Sequence, residues 1–443
     1  MKIIQSGEFD SYWKNSAAKD DDETAEIVVK EIIAAVRSEG DNAVRRFAKR
    51  FDKSSPECFE VSFSEAERAA DELYSAEPEL AAAMEFSAER LKRFSLQQAS
   101  QFTDFEYEMD EGLAVGQRVI PVEKAAVYAP AGRFPLFSSV LMGLIPAFCA
   151  GVEEVVLASP PLETGLPDRR ILGAAGIAVR VAGKGRLRIF AVGGAQAVAA
   201  LALGTESVPR VDLIVGPGNK YVAAAKRLLF GEVGIDFVAG PTDVLVIADS
   251  EKNAGLAIPA AELIAADMIA QAEHDPDARS RALVPTGELA EQIAEAIERN
   301  LTSRPNSNAR LSLDAGGLII IYPNREEAIR IANIVAPEHL ELQTADAEKW
   351  ISGLKNYGSL FIGGLSAEAL GDYSAGINHT LPTSSNARFT GGLSVRHFLK
   401  TVTTLRCGPG EGFEKARRAA EILAKAEGLE GHAASAAARK NGR

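Results

Sequence analysis

From about residue 120 onward, short apolar runs alternate with helical stretches, and most of the apolar runs stop at Gly or Pro. The first set of runs lies at 125–130, 153–161, 188–194 and 212–218, and the second at 243–249, 281–286, 317–323 and 359–364. Segments with helical spacing lie between them, such as 140–149, 195–203, 257–271 and 289–300. This alternation predicts an α/β fold with two units of parallel sheet and crossover helices.

Helical periodicity dominates both ends of the chain. Apolar residues recur at helical spacing over 24–37, 66–74, 80–86 and 88–94, and an Ala-rich tail covers 414–443. We therefore divide the chain into four segments. They are an N-terminal helical arm at 1–120, expected to pack on the second α/β unit, the two α/β units at 121–238 and 239–380, and a helical C-terminal tail at 381–443.

The charge and the cysteines exclude several classes of protein. The net charge is −13, whereas a nucleic-acid binder needs a basic face, so we expect no nucleic-acid partner. The three cysteines are far apart without a CxxC pair, which argues against a thiolate zinc site and fits a reducing compartment. The N-terminus lacks the apolar core of a signal peptide, and no uncharged apolar run reaches about 18 residues. We therefore expect a cytoplasmic protein without a membrane span.

Two short motifs contain histidines at positions suited to chemistry. In QAEHDPD, Gln271 and His274 are three residues apart, so on a helix they share one face and can reach one metal ion. The alternative is an exposed helix end with a capping histidine. In APEHLEL, Glu338 and His339 can serve two proton transfers, whereas the alternative is a helix N-terminus with a favourable glutamate.

Two further motifs pair a histidine with a carboxylate. GDYSAGINHTLPT places Asp372 and His379 in a Gly-rich, loop-like segment, where an Asx-turn with a surface histidine is the alternative. AEGLEGH places Glu427 and His432 across a glycine break in the tail, where a frayed, solvated helix end is the alternative. The spacing within each motif leaves both alternatives open.

Taken together and in order, these motifs resemble the histidinol dehydrogenase family. The segments that carry the resemblance are GGAQAVAALALGTESVP (193–209), VGPGNKYV (215–222), AGPTDVLVIAD (239–249), QAEHDPD, APEHLEL, GDYSAGINHTLPT, GGLSV (391–395) and AEGLEGH. The resemblance runs from roughly residue 25 to the C-terminus. It implies oxidation of L-histidinol to L-histidine, through the aldehyde and with two NAD, in histidine biosynthesis.

The resemblance also implies a metal centre. It assigns Gln271, His274, Asp372 and His432 as ligands of one zinc ion per subunit, with His432 supplied by the neighbouring subunit of a homodimer. The tail at 381–443 then crosses between subunits and the active sites are shared. An amide, imidazole and carboxylate set suits a catalytic zinc with open positions, which the substrate's imidazole and amine fill in this family.

Catalytic, substrate and cofactor positions follow from the same resemblance. Glu338 and His339 match the acid–base pair. The expected substrate contacts are Thr242, Gln271, His274, His339, Asp372, His379, Glu427 and His432. The expected NAD contacts are Tyr128, Gln196 and Asn219. No strand-linked GxGxxG occurs, but this family binds NAD on incomplete Rossmann-like units, here 121–238, while 239–380 carries the zinc and acid–base residues.

The chain departs from the family pattern near the expected substrate. It has Ala131-Gly132-Arg133 where the family usually has Gly-Gly-Thr, and Thr242-Asp243 where it usually has Ser-Glu. Arg133 can hold an anionic group, which leaves a second polar alcohol such as sulfopropanediol as an alternative substrate. A zinc hydrolase that uses Glu338 as its base is a further alternative.

Overall fold

The computed structural model describes residues 1–16, 23–131, 135–249 and 256–440. The strands are β1 (Lys2–Gln5), β2 (Glu60–Val61), β3 (Phe105–Asp110), β4 (Leu113–Pro121), β5 (Lys124–Tyr128), β6 (Glu154–Ser159), β7 (Arg186–Ala191), β8 (Leu213–Val215), β9 (Gly234–Ile235), β10 (Asp243–Ala248), β11 (Arg279–Val284), β12 (Leu318–Ile321), β13 (His339–Gln343), β14 (Ser359–Ile362) and β15 (Leu399–Cys407).

The helices alternate with these strands through most of the chain. They are α1 (Ser6–Ser16), α2 (Glu23–Glu39), α3 (Asp41–Phe51), α4 (Phe63–Ala76), α5 (Pro78–Ala99), α6 (Phe137–Ala150), α7 (Arg169–Ala182), α8 (Gly194–Leu203), α9 (Lys220–Leu229), α10 (Ala260–Ala272), α11 (Gly287–Ser303), α12 (Ser307–Gly316), α13 (Arg325–Val335), α14 (Glu348–Ile351), α15 (Glu368–Tyr373), α16 (Glu411–Ala426) and α17 (Glu430–Ala437).

Two sheets repeat one strand order. The first sheet runs β2-β7-β6-β5-β8-β9 and the second β1-β12-β11-β10-β13-β14. In each, the five strands of the α/β unit lie in the order 3-2-1-4-5 and are parallel. This is the Rossmann-like order, and it reverses direction between β5 and β8 in one unit and between β10 and β13 in the other. The predicted fold class is therefore confirmed.

The central strands are buried on both faces because helices cover each sheet. All side chains of β6 and β10 are buried. Strands of this kind have continuous apolar runs instead of alternating ones, which is why the sequence identified them. The exception is β13, whose sequence HLELQ mixes apolar and polar residues although all of it is buried. Its first residue, His339, belongs to the candidate site.

The N-terminal segment packs differently from the expectation. In the described residues, β1 and α1 pack on the second unit, where β1 pairs in parallel with β12. Helices α2 and α3 pack on the first sheet's α8, and α4 and α5 pack on α6 and α7. A Cβ at Gly173 of α7 would lie 2.2 Å from Leu73 Cδ1, so the missing side chain lets α4 approach closely. Amphipathic periodicity identifies a buried face but not the partner that covers it.

A third, antiparallel sheet connects the end of the arm to the tail. It runs β15-β4-β3, and β3 and β4 form a hairpin through Glu111 and Gly112. The segments 1–120 and 381–443 were expected to be helical, but β3, β4 and β15 are strands. The alternation in FEYEMD, with Phe105, Tyr107 and Met109 on one face, is a strand signal. No helix in the described residues combines the length and apolar character needed to cross a membrane.

Candidate active site

The candidate catalytic residues gather at the amino ends of the two central strands of the second sheet. Thr242 directly precedes β10, Glu338 directly precedes β13, and His339 is the first residue of β13. Because Val244 and His339 are register partners, the two strand starts lie side by side. Glu338 and His339 are thus at a strand start, so the alternative of a helix N-terminus for this motif is wrong.

Glu338 is buried and held by its neighbours. The Thr242 hydroxyl donates a hydrogen bond to Glu338 Oε2, and the backbone N–H of Asp243 donates to the same oxygen at 3.1 Å. Burial raises the pKa of Glu338 to about 7, although the nearby His339 and the Thr242 hydrogen bond oppose the shift. A carboxyl group with a pKa near neutrality can both accept and release a proton at physiological pH.

His339 is buried among three carboxyl groups. Its Nδ1 lies 3.9 Å from Glu338 Oε2 and 3.7 Å from Glu368 Oε1, and its Nε2 lies 3.6 Å from Asp372 Oδ1. Burial lowers the pKa of His339, but the carboxylates of Glu368, Glu338 and Asp372 outweigh it, so the pKa is raised well above its ordinary value. Within the described residues neither ring nitrogen has a hydrogen-bond partner. Either ring nitrogen can therefore form a hydrogen bond with a group that enters the site.

A group of possible metal ligands lies beside His339. One ligand atom each from His274, Glu368 and Asp372 lies within 4.8 Å of the other two. Gln271 is fully buried next to them. With its amide nitrogen toward Thr242, Gln271 turns Oε1 to the Glu368 carboxylate, where both groups are acceptors. Turning the amide over relieves this contact, and so does a cation between the oxygens. These residues therefore fit a metal ion with nitrogen and oxygen ligands.

The local structure explains how these ligands meet. Gln271 lies in the last turn of α10, and His274 follows the helix end, where its N–H donates to Gln271 O at 3.4 Å. Asp372 lies on the short helix α15, whereas the sequence placed it in a loop. Glu368 is one turn earlier on the same helix, so both carboxylates share a face.

His379 connects this group to the first α/β unit. Its Nδ1 contacts the Asp372 carbonyl oxygen at 2.9 Å, and its Nε2 lies 3.4 Å from Ser139 Oγ of α6. The alternative of a surface histidine in an Asx-turn is therefore wrong. The expected substrate contacts Thr242, Gln271, His274, His339, Asp372 and His379 thus occupy one region.

Two expected site residues lie elsewhere in the single chain. Glu427 directly follows α16 and His432 lies on α17, and both are exposed. In the described residues the main packing contacts of α16 are with α17 and β3. One chain therefore does not supply these side chains to the metal-ligand group.

A separate cavity opens at the carboxyl ends of the first sheet's strands. Its volume is about 570 Å³, and Tyr128, Gln196 and Asn219, the three expected NAD contacts, all line it. Tyr128 is the last residue of β5, and its hydroxyl accepts a hydrogen bond from Gly194 N at 3.0 Å. Asn219 caps α9 by accepting from the N–H groups of Tyr221 and Val222. Ligands of open α/β sheets bind at this edge, where the strand order reverses.

Arg133 belongs to residues 132–134, which lie outside the described part of the chain. The adjacent Ala131 lines the cavity.

Comparison with known proteins identifies the family. The sequence profile described as "Histidinol dehydrogenase" matches residues 15–440. The chain belongs to the histidinol dehydrogenase family. It is 44% identical over 423 residues to the histidinol dehydrogenase of Aquifex aeolicus, covering 95% of this chain and 93% of that one. It is 45% identical over 416 residues to the histidinol dehydrogenase of Thermus thermophilus, covering 94% of each chain.

A solved structure supports the same assignment. The crystal structure of histidinol dehydrogenase from Elizabethkingia anophelis superposes with a TM-score of 0.87 at 34% sequence identity, covering 99% of this chain and 97% of that one. Membership in the histidinol dehydrogenase family confirms the predicted enzyme class, an oxidoreductase acting on alcohol and aldehyde groups.

Sequence reasoning missed two residues of the candidate site. Glu368 completes the group with His274 and Asp372, and its i, i+4 spacing from Asp372 was a usable signal. Asp243 is buried beneath Glu338 and pairs with Arg281, whose Nη1 lies 2.8 Å from Asp243 Oδ2. Asp243 was interpreted as the first residue of an apolar strand, so nothing local indicated its role.

Proposed function

We propose that the chain catalyses the zinc-dependent, four-electron oxidation of L-histidinol to L-histidine with two NAD, by way of the aldehyde. The observation that supports this proposal most directly is a proximity at one edge of the second sheet. There, Glu338 and His339 lie beside the possible metal ligands His274, Glu368 and Asp372. Family membership supplies the reaction class, and this arrangement supplies acid–base and metal-binding groups for it.

The proposed metal ligands are Gln271, His274, Asp372 and His432 of the partner subunit. Zinc bound there would orient the substrate and stabilise negative charge on its oxygen. Glu368 contacts Gln271, and its ligand atom lies within 4.8 Å of that of His274, so it balances the charge of the ion or joins its ligands. The donor set is harder than a thiolate set, which suits an imidazole and amine substrate that exchanges at each turnover.

His339 is the proposed base for both oxidations. It removes the proton of the alcohol in the first step and the proton of the aldehyde hydrate in the second. The carboxylates of Glu368, Glu338 and Asp372 stabilise the imidazolium that forms each time. Bound NAD would accept the two electrons and the hydrogen of each step as hydride.

Glu338 is the proposed base for hydration. It takes a proton from water as the water oxygen adds to the aldehyde carbon, while the His339 imidazolium returns its proton to the carbonyl oxygen, which gives the hydrate that the second oxidation consumes and frees His339 to act as a base again. Thr242 and the Asp243 N–H fix the orientation of its carboxyl group. With a pKa of about 7, the group is partly ionised at neutral pH and so can act as this base.

The first α/β unit is the proposed NAD site. Residues 121–238 provide the cavity with Tyr128, Gln196 and Asn219, and residues 239–380 provide the metal and acid–base groups. The N-terminus of α8 opens onto this cavity at Gly194, and helix N-termini favour anionic groups such as a diphosphate. The cavity volume lies in the range of small-molecule and cofactor sites.

The exposed tail supports the proposal of a homodimer with shared sites. The apolar side chains Ile422 and Leu423 of α16 are 60% and 63% exposed in the single chain. A two-fold partner that covers them would bring Glu427 and His432 of the partner subunit to this chain's site. The three cysteines are free, which fits the proposed reducing, cytoplasmic location.

A steady-state assay tests the proposed function. Metal-loaded protein with L-histidinol is expected to form two NADH for each L-histidine. A panel of other polar alcohols, including sulfopropanediol, tests the alternative substrate that Thr242 and Arg133 raise. A panel alcohol with a far higher kcat/KM than L-histidinol would overturn the proposed substrate. Failure of every alcohol, with metal bound, would overturn the proposed reaction.

A further inference from the structure

A carboxylate from the N-terminal helices lies in the wall of the proposed NAD cavity. Asp52 follows the last residue of α3, and it lines the cavity together with Tyr128, Gln196 and Pro160. It is 141 residues away from Gly193 in sequence but within hydrogen-bond distance of it. Neither the proposed chemistry nor the expected NAD contacts use this residue.

In the part of the chain that the structure describes, only one oxygen of the Asp52 carboxyl group accepts hydrogen bonds. The backbone N–H of Gly193 and the side-chain amide of Gln196 both donate to Oδ2, each at 3.3 Å. In the described residues no hydrogen bond reaches Oδ1 and no ion pair joins Asp52 to a cation. Oδ1 can therefore accept hydrogen bonds from a ligand in the cavity.

The strand order places Asp52 on the adenosine side of a dinucleotide. Gly193 follows β7, and a Cβ on Gly193 would lie 2.7 Å from Asp52 Oδ1 and 2.6 Å from Pro160 Cγ, just after β6. Asp52 thus sits at the carboxyl ends of β6 and β7, on the side of β5 away from β8. In Rossmann units, an acidic residue near the end of the second strand accepts the 2′-hydroxyl of the adenosine ribose.

The second strand of this unit has no acidic residue at that place. β6 ends at Ser159, which Pro160 and Pro161 follow. We propose that Asp52 substitutes for the missing residue: its Oδ1 accepts the 2′-hydroxyl of the adenosine ribose and excludes a 2′-phosphate. This assignment rests on the proposed use of NAD. Asp52 then determines the specificity for NAD over NADP. It comes from the N-terminal helices and not from residues 121–238, which form the rest of the proposed NAD site.

The surroundings favour this role. A 2′-phosphate beside an ionised Asp52 would place two negative groups in contact. Arg50 and Lys53 also line the cavity, but both are exposed at its rim. Once the carboxylate is removed, these two cations are available to a 2′-phosphate. The Asp52→Asn variant is therefore expected to weaken NAD binding and to improve NADP binding.

Calorimetric titration of NAD and NADP into the full-length protein tests this assignment. In Asp52→Asn, the Kd for NAD is expected to rise about tenfold or more, because a charge-assisted hydrogen bond is lost. The Kd for NADP is expected to fall or to stay constant, so the preference for NAD over NADP drops at least about tenfold. The matched control is Glu57→Gln, which removes a charge from an exposed position five residues further along the chain, and its preference should equal that of the wild type.

The outcomes separate the possible roles of Asp52. If the two Kd values change by the same factor, Asp52 only orients Gln196, and the assignment is wrong. An unchanged preference with intact NAD binding would also overturn the assignment and leave the proposed function standing. Wild-type protein that binds neither dinucleotide would overturn the proposed function and this assignment with it. With L-histidinol, the variant should show a higher KM for NAD at similar kcat.

Discussion

Asp243 and Glu338 are joined by two hydrogen bonds that run in opposite directions. The backbone N–H of Asp243 donates to Glu338 Oε2, and the backbone N–H of Glu338 donates to Asp243 Oδ1, both at 3.1 Å. The other carboxylate oxygen of Asp243 pairs with Arg281, whose guanidinium lies 5.3 Å from the ring centre of Trp13 on α1. The position of Glu338, the proposed hydration base, thus depends on successive contacts that extend through Asp243 and Arg281 to Trp13 of α1.

The Asp243→Asn variant tests this positioning. The negative charge of Asp243 raises the pKa of Glu338, so the variant should lower that pKa and move the acid limb of the kcat profile to lower pH. We expect kcat to fall about tenfold or more because the buried Arg281 loses its partner. Asp243→Glu, which keeps the charge, should restore much of the rate. A loss of rate with an unshifted pH profile would show a purely structural role.

The His339→Asn variant should separate proton transfer from metal binding. General-base catalysis contributes about 10²- to 10⁴-fold, and kcat should fall by that order. His339 is not among the proposed ligands, so the metal content per subunit, measured by atomic absorption, should equal that of the wild type. A variant that loses its metal together with its activity would contradict the assigned role.

The Glu368→Gln variant tests the residue that the sequence did not reveal. Removing its charge from the group of His274 and Asp372 should weaken metal affinity by about 10- to 100-fold, as for other groups that support ligands. Competition with a chromogenic chelator measures this affinity. Glu348→Gln, at an exposed position of α14, is the matched control and should bind metal as the wild type does. Equal affinities in the two variants would remove Glu368 from the site.

Deleting residues 426–443 should abolish both metal binding and activity, because His432 of the partner subunit is a proposed ligand. Full activity in the tailless protein would contradict the shared site.

Mixed dimers give a sharper test of the shared site. His432→Ala and Glu338→Gln are each inactive, but a heterodimer would contain one intact shared site, so random mixing should recover about a quarter of the wild-type activity. No recovery after verified subunit exchange would place both residues in one chain's site.

Asp52 also predicts how stability depends on pH. Burial raises its pKa to about 6, although hydrogen bonds from Gly193 and Gln196 oppose the shift. A carboxyl group whose pKa is raised by folding destabilises the folded state as pH rises from its unfolded pKa to its folded one, here by on the order of 3 kcal/mol. Asp52→Asn should therefore melt higher than the wild type at pH 8, and the difference should shrink toward pH 4.5. If thermal melts give the same difference in Tm between the variant and the wild type across that pH range, the burial of the Asp52 carboxyl group is contradicted.

The proximity of Gln271 and His274 was predictable from the sequence because their spacing is local. Gln271 and His274 share the end of one helix, so their meeting follows from helical geometry. The setting of Glu338 and His339 did not follow, since HLELQ mixes polar and apolar residues and so lacks the apolar run of a buried strand. The sequence also did not reveal contacts between distant residues. Nothing in the sequence around Asp52 indicates that its carboxyl group accepts a hydrogen bond from Gly193.

The fold class was predictable for a similar reason. Alternating strands and helices determine parallel sheets, and each crossover has few allowed topologies. Which sheet the N-terminal helices cover was not predictable, because α2 to α5 have apolar faces that fit either unit. Small residues at the contact, such as Gly173 and Gly176 of α7 against α4, determine which helices can pack closely. Their role can be recognised only when the two helices are seen side by side.

The pairing of β1 with β12 has a consequence for biosynthesis. Lys2 is paired in register with Leu318, so β1 leaves the ribosome long before its partner strand β12 is made. The first sheet can close while translation continues, but the second keeps an unpaired edge at β12 until the two ends of this long loop meet. An extension fused to Met1 would compete with that late docking step, and nascent chains carrying one should depend more heavily on chaperones.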